Sequence, residues 1–193
     1  MATGTLKFGR TDLFGGGMTV NLPDNYLDAS KLRQIPDNQE VYLCKDGLTS
    51  ILFDITERVD EPSVDEAIRY HLEDIVEKGD GIKVWSSSHT SMAKLPSQNP
   101  TSTLLATTHP SFANNSNSPQ FTALLLILVR LPAQRADIVV TINIPHVSGE
   151  YDASEINLEE GHPGHLIQEG MAIRDQILGS LEVQKWDLFG NSS

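Results

Sequence analysis

The sequence is poor in cysteine and in basic residues. Its single cysteine, Cys44, cannot form a disulfide within the chain, which favours a reducing compartment. Lys and Arg together number 14 against 26 Asp and Glu among 193 residues, for a net charge of −12. Because binding to phosphate backbones requires clustered basic residues, nucleic acid is not an expected partner. A basic protein surface is the partner that this charge favours.

Long apolar runs are also absent. The longest, residues 121–129, is interrupted by Thr122 and is far shorter than the ~20 residues that span a bilayer. The first ten residues contain no apolar segment of the type found in secretory signals. We therefore expect a soluble, intracellular protein with no membrane partner. The length suits one domain of ordinary size, so residues 1–193 are expected to form a single domain.

Little in the sequence points to catalysis. Gly15–Gly17 lacks the Lys-Ser/Thr pair that follows the glycines of a phosphate-binding loop. His162 and His165 lie close together, but no cysteine or acidic ligand pattern completes a metal site. Cys44 has no nearby histidine, and the Gly-x-Ser-x-Gly pattern of hydrolases is missing. We expect no catalytic residue, no metal, no cofactor and no enzymatic activity.

Two apolar segments predict a β-hairpin, residues 120–131 and 137–145. The first segment is apolar on both faces of a strand, so both faces must be covered. Residues 40–44 and 50–56 also read as strands, joined by a turn that contains an Asp-Gly pair.

Two helices can supply the cover. Ser63 and Glu66 form a capping box, which predicts a helix that ends at Gly79. A second helix is predicted from Pro163. The residues expected to be buried by the two helices are Val64, Ala67, Ile68, Leu72, Ile75, Val76, Leu166, Ile167, Met171, Ile177, Leu178 and Leu181. Together these patterns predict an α+β fold, an antiparallel β-sheet flanked by helices on both faces in an α/β/α sandwich.

Residues 86–119 differ from the rest of the chain in composition. They are rich in Ser, Thr, Asn and Pro and end in the polar run of residues 114–119. This composition predicts a low-complexity loop within residues 86–119, with room for a short strand at Leu104–Ala106.

Acidic residues are concentrated between Asp54 and Asp80, a segment that contains ten acidic residues and three basic ones. A second acidic run occupies residues 150–160. A charge run of this kind favours a solvated surface. Asp54 and Glu57 differ from the rest because they lie within or just after a predicted strand, where an acid is disfavoured unless it has a task. A regular strand would place them on opposite faces, whereas a strand end or a bulge would bring them together.

The order and spacing of several motifs resemble the Mog-type Ran-binding proteins, the Ran guanine-nucleotide release factors. Residues 12–18 read Asp-Leu-Phe-Gly-Gly-Gly-Met, and residues 27–42 contain Leu-Asp-Ala-Ser-Lys-Leu-Arg followed by Ile-Pro-Asp-Asn-Gln-Glu-Val. The resemblance continues through residues 51–57, 70–74, 125–131 and 137–145. It weakens in the segment 86–119 and after His146.

The resemblance implies a sheet flanked by helices, shared with the PsbP proteins of photosystem II. It also implies binding to the small GTPase Ran, release of its guanine nucleotide without catalysis, and a place in the nucleus and cytoplasm. We expect a monomer. The family's acidic pair aligns with Asp54 and Glu57. The adjoining candidate residues are Arg33, Asp37, Asn38, Gln39 and Glu40, for which a plain turn with side chains bonded to its own backbone is the alternative.

Two other functions stay open at this point. The chain could be a PsbP-like structural subunit that shares only the fold, or a small hydrolase with an unrecognised site. Fold alone does not choose between them.

Overall fold

The computed structural model of the protein describes residues 6–111 and 118–190. In these ranges the chain forms two α-helices and twelve strands. The helices are α1 Val64–Ile75 and α2 Gly164–Ser180. The strands are β1 Phe8–Leu13, β2 Met18–Pro23, β3 Tyr26–Asp28, β4 Gln39–Cys44, β5 Ser50–Glu57, β6 Gly81–Thr90, β7 Thr101–His109, β8 Phe121–Leu131, β9 Ala136–His146, β10 Ile156–Asn157, β11 His162–Pro163 and β12 Glu182–Val183.

Seven strands form the main antiparallel sheet, in the order β3-β4-β5-β9-β8-β7-β6. The two predicted hairpins, β4–β5 and β8–β9, are confirmed, and the pairing of β5 with β9 joins them. A 3₁₀ turn at Pro132–Gln134 and left-handed Arg135 close the β8–β9 hairpin. A smaller sheet of β1, β2 and β12 and a short β10–β11 pair complete the fold.

The two helices cover opposite faces of the main sheet, as predicted. Alternate residues of β8 point to opposite sides, so Leu126 packs in the core under α1 while Leu125 packs in the core under α2. The smaller sheet adds Leu13, Met18 and other apolar side chains to the α2 side. The centre of the sheet is therefore buried on both faces.

The capping box opens α1 as the sequence predicts. The Ser63 Oγ accepts a hydrogen bond from the Glu66 N–H at 3.1 Å, and the Ser63 hydroxyl donates to the Glu66 carboxylate at 2.7 Å. The helix ends at Ile75, before Gly79, because the backbone of Val76 is extended. Ile75 is 38% exposed in this last turn, so its predicted burial is wrong.

The second helix begins at Gly164, one residue after the predicted start. Of the positions predicted to be buried, Ile167, Ile177 and Leu181 are buried, whereas Leu166, Met171 and Leu178 are only partly buried against the core. Gly170 and Ile173, which were not predicted, are also buried. A Cβ at Gly170 would lie 2.4 Å from the Ile144 Cδ1, so the absence of a side chain lets the helix backbone approach the sheet closely. Neither helix has the length and apolar composition needed to cross a membrane, as far as the described residues go.

The segment 86–119 contains more regular structure than its composition predicts. The short strand expected at Leu104–Ala106 is part of β7, which runs for nine residues and pairs with β6 and β8. Hydroxyl groups bond between β6 and β7, for example from Ser102 to the Ser88 carbonyl at 3.1 Å. Serine and threonine therefore serve here as strand residues. Residues 112–117, with most of the Asn-Ser run, lie outside the described residues.

Candidate protein-binding site

Asp54 lies near the end of β5, on the face of the main sheet that carries α1. Its neighbour Phe53 points to the opposite, α2 side and is fully buried. The Asn38 side-chain amide donates to one Asp54 carboxylate oxygen at 2.8 Å, and the Gln39 amide donates to the other at 3.1 Å. Gln39 is also the cross-strand partner of Asp54. Both carboxylate oxygens are therefore held by amide groups at the start of β4.

The turn before β4 is fastened to β5. The Gln39 N–H bonds to the Pro36 carbonyl at 2.9 Å, and the Ile55 N–H bonds to the Asn38 carbonyl at 2.9 Å. The Asn38 amide also reaches the Ile55 carbonyl at 3.3 Å. The side chain of Asn38 therefore bonds to the next strand and not to the backbone of its own turn.

Partial burial of Asp54 disfavours the charged form of its carboxyl group. Desolvation raises its pKa, and repulsion from Asp74 on α1 acts in the same direction. The bonds from Gln39 and Asn38 and the nearby His71 oppose that rise. An acid kept in a position that disfavours its charge is typical of binding and catalytic sites, where function outweighs stability.

Glu57 is the last residue of β5 and is exposed. The strand pairs with β9 in an unbroken register, with Asp54 opposite Val139 and Glu57 opposite Ala136. The regular register places the two acids on opposite faces of the strand, about 10 Å apart along it. A partner must therefore reach around the end of β5 to contact both.

Four more acidic residues line a groove on the other side of β4. The groove has a volume of about 430 Å³, and its acidic residues are Asp12, Asp28, Asp37 and Glu40. Sequence reasoning named Asp37 and Glu40 and missed Asp12 and Asp28. Both missed residues lie in the motifs on which the family resemblance depends, and that was the signal available for them.

Glu40 has two contacts inside the protein. Its carboxylate accepts a hydrogen bond from the Phe14 N–H at 2.6 Å and one from the Tyr42 hydroxyl at 3.2 Å. Phe14 has a φ of 50°, a strained left-handed conformation for this residue. Burial, together with Glu40, Asp28 and Asp12, raises the pKa of Tyr42 well above its usual value. Glu40 therefore supports the groove as well as lining it.

Among the candidate residues, Arg33 is the one whose contacts differ from those of the carboxylates. Its N–H bonds to the Ala29 carbonyl at 3.0 Å, and the residue is exposed. No hydrogen bond or ion pair joins its side chain to another candidate residue in the described part of the chain.

The arrangement presents fixed hydrogen-bond acceptors and negative charge. Carboxylates held in this way bind Lys and Arg side chains, with Arg able to form two parallel bonds. No group of three or more His, Cys, Asp or Glu within residues 6–111 and 118–190 is placed to hold a metal ion. The site is therefore suited to a basic protein surface.

Comparison with known proteins gives several matches. The family model described as "Ran-interacting Mog1 protein" matches residues 11–145. The "Nuclear import protein MOG1" of Saccharomyces cerevisiae is 31% identical over 156 residues, which cover 74% of this chain and 68% of the yeast protein. The "Ran guanine nucleotide release factor" of Bos taurus is 28% identical over 137 residues, covering 69% of this chain and 74% of the bovine protein.

Solved structures share the fold. The Saccharomyces cerevisiae Ran-binding protein Mog1p superposes with a TM-score of 0.73 at 21% identity, covering 96% of this chain and 100% of the yeast chain. The cyanobacterial PsbP of Synechocystis has a TM-score of 0.51 at 10% identity, covering 95% of this chain and 96% of its own. Because the family model covers well over half of the sequence and the yeast relative is aligned over most of both chains, this protein belongs to the family of Ran-interacting Mog1 proteins.

Proposed function

We propose that this protein binds the small GTPase Ran and promotes release of its bound guanine nucleotide, in support of nuclear import. Family membership and the names of the yeast and bovine relatives support this proposal. The observation that carries it in this chain is the half-buried Asp54 carboxylate, held by Asn38 and Gln39 in a position where its charge is disfavoured.

Release of nucleotide requires no covalent chemistry from this protein. A factor that binds the nucleotide-free GTPase more tightly than the loaded form weakens nucleotide binding by the same factor, because the two equilibria are linked. In this mechanism Asp54 and Glu57 pair with Lys or Arg side chains of Ran that otherwise face the nucleotide or hold the switch loops. Removing one partner of such a pair weakens the complex more when water is excluded from it, because the other charge is then left buried and unpaired.

The remaining candidate residues have graded roles in this proposal. Asn38 and Gln39 orient Asp54, while Asp37 and Glu40 extend the negative surface into the adjoining groove. Arg33 contributes at the edge of the contact. The protein acts as a non-catalytic monomer of one domain, in the nucleus and the cytoplasm.

Binding can be tested with purified Ran in its GTP-bound, GDP-bound and nucleotide-free forms. The native chain is expected to capture nucleotide-free Ran most strongly, and Asp54→Asn and Glu57→Gln to capture less. Glu150→Gln is the matched control, because it removes one exposed negative charge from the second acidic run. Equal capture by all variants would remove the acidic pair from the interface, and failure of the native chain to capture any form of Ran would contradict the proposed function.

A further inference from the structure

Three ionisable side chains lie buried together at the closed end of the β8–β9 hairpin. Arg130 and Asp137 are cross-strand partners that are 3% and 0% exposed, and the Arg130 Nε lies 3.4 Å from an Asp137 carboxylate oxygen. His71 of α1 brings its Nε2 to 3.1 Å from the other oxygen. A buried ion pair can often be replaced by apolar residues at no loss of stability, so stability alone does not explain why this pair is present.

The cluster bonds to the backbone of residues 58–63, the connection between β5 and α1. The Arg130 guanidinium donates to the carbonyls of Val59, Glu61 and Ser63, at 2.7 Å for Glu61 and 3.3 Å for Ser63. The Asp137 carboxylate accepts from the Val59 N–H at 3.2 Å. A planar guanidinium with five donors can serve several carbonyls at once, which a lysine ammonium on its flexible stem does less well.

The same connection separates the two elements that carry the acidic surface. Asp54 and Glu57 lie in β5 before it, and α1 with the exposed acids Asp65, Glu66, Glu73 and Asp74 follows it; we call these acidic residues of β5 and α1 the acidic surface. The Arg58 N–H bonds to the Arg135 carbonyl at 2.9 Å, which holds the start of the connection to the hairpin turn. His71 holds the middle of α1 to the same cluster, on the side that faces Asp54.

We propose that Arg130, Asp137 and His71 form a positioning unit that sets β5 and α1 relative to each other and so fixes the geometry of the acidic surface before a partner binds. The inference rests on the proposed function, since the partner is Ran. Groups that are held in place before association lose less conformational entropy when they bind, which increases affinity without a direct contact. Arg130 and Asp137, both almost fully buried, act on the partner only through the residues that they hold.

A double-mutant cycle tests this inference. Arg130→Met is made in the native chain and in Glu57→Gln, and the affinity for nucleotide-free Ran is measured for all four proteins. We expect a loss of about tenfold in the native chain and a clearly smaller loss in the Glu57→Gln background, because coupled residues are not additive. A role confined to stability would give equal losses in both backgrounds and would overturn the proposal.

Two controls separate positioning from destabilisation. Arg130→Lys retains the positive charge beside Asp137 but loses the planar guanidinium that bonds to several carbonyls, so it is expected to restore affinity only in part. Full restoration would mean that the charge alone is needed, and would contradict the role given to the guanidinium. Ile177→Val, in α2 on the opposite face of the sheet, destabilises the fold and is expected to leave the affinity of the folded protein unchanged.

If Arg130→Met does not fold, the cycle can be made with His71→Gln and Asp54→Asn, with the same expectation of non-additive losses. The two proposals fail in different ways. Ran binding by the native chain with additive losses overturns only the positioning unit, whereas a native chain that does not bind Ran overturns the proposed function and this inference with it.

Discussion

The β8–β9 and β4–β5 hairpins are neighbours in one sheet and differ in how they are covered. Both faces of β8 are buried, under α1 on one side and α2 on the other. On the α1 face of β5, Leu52 and Asp54 are only half-buried. The β8–β9 hairpin, the central hairpin, therefore contributes most to the buried core. The β4–β5 hairpin, the lateral hairpin, is less covered and can carry polar side chains at the surface.

Polar groups in the two hairpins follow the same division. In the central hairpin, Arg130 and Asp137 bond to each other and to the backbone of the neighbouring connection. In the lateral hairpin, Asp54 is held by Asn38 and Gln39, yet remains partly open to solvent. Buried charge in the centre organises the fold, whereas half-buried charge at the side is available to a partner.

The largest effect is expected from truncation in the central hairpin. Leu126→Ala should lower the free energy of unfolding by about 2–5 kcal/mol, because the side chain is fully buried under α1 and its removal leaves a cavity. Leu52→Ala, the same change on the same face of β5, should cost less because Leu52 is already half-exposed. Chemical denaturation measures both, and equal losses would break the distinction between the hairpins.

Changes to the acidic pair should affect binding and leave the fold intact. Asp54→Asn and Glu57→Ala are each expected to weaken Ran binding by about 1–3 kcal/mol if the acids are central to the contact. Titration calorimetry measures this, and native affinity in both variants would exclude the pair from the interface.

Asp54→Asn also has an expected effect on stability. The pKa of Asp54 is raised in the folded chain, so ionisation costs stability, and that cost grows as pH rises through the folded pKa. Removing the charge is offset by the loss of one hydrogen bond, because an Asn side chain can accept from only one of the Asn38 and Gln39 amide groups. At neutral pH the variant is therefore expected to unfold at a denaturant concentration close to that of the native chain. A markedly lower midpoint would mean that Asp54 stabilises the fold.

Salt should slow association of the native chain with Ran. The segment from Asp54 to Asp80 is strongly acidic, and attraction between charged surfaces is screened beyond about 8–10 Å at physiological ionic strength. Stopped-flow measurements at low and physiological salt test this expectation. A rate that does not change with salt would mean that the acidity only keeps the protein soluble.

The smallest effect concerns pH and the central part of the sheet. His146 is fully buried, stacks on Phe121 with ring centres 4.1 Å apart, and donates its Nδ1–H to the Ile144 carbonyl at 2.9 Å. Burial lowers its pKa below the usual 6.5. The unfolded chain then takes up a proton more readily, so the free energy of unfolding should fall as pH drops below about 6.5. His146→Phe should reduce this dependence, as measured by denaturation at several pH values.

The sequence predicted local features better than features that depend on distant residues. The β8–β9 hairpin and the start of α1 were found because apolar alternation and the capping box are local signals. The strands β6 and β7 were underestimated because Ser and Thr occur both in loops and in strands.

The candidate site shows the same limit. Asp54 was found as an acid within a strand pattern, but the groove acids Asp12 and Asp28 come from separate segments that only the fold brings together. Arg130 and Asp137 lie at the ends of apolar runs, where their burial cannot be distinguished from ordinary exposure until the distant residues 58–63 and His71 are known to pack against them. Long-range pairing, which sequence spacing does not encode, decides these positions.

The most direct test is the rate at which Ran loses a fluorescent guanine nucleotide when this protein is added in excess. The account predicts that the native chain accelerates release, that added free nucleotide dissociates the resulting complex, and that Asp54→Asn with Glu57→Gln removes most of the acceleration. Release that is equally fast with and without the native chain, or an acidic-pair variant as active as the native chain, would contradict it.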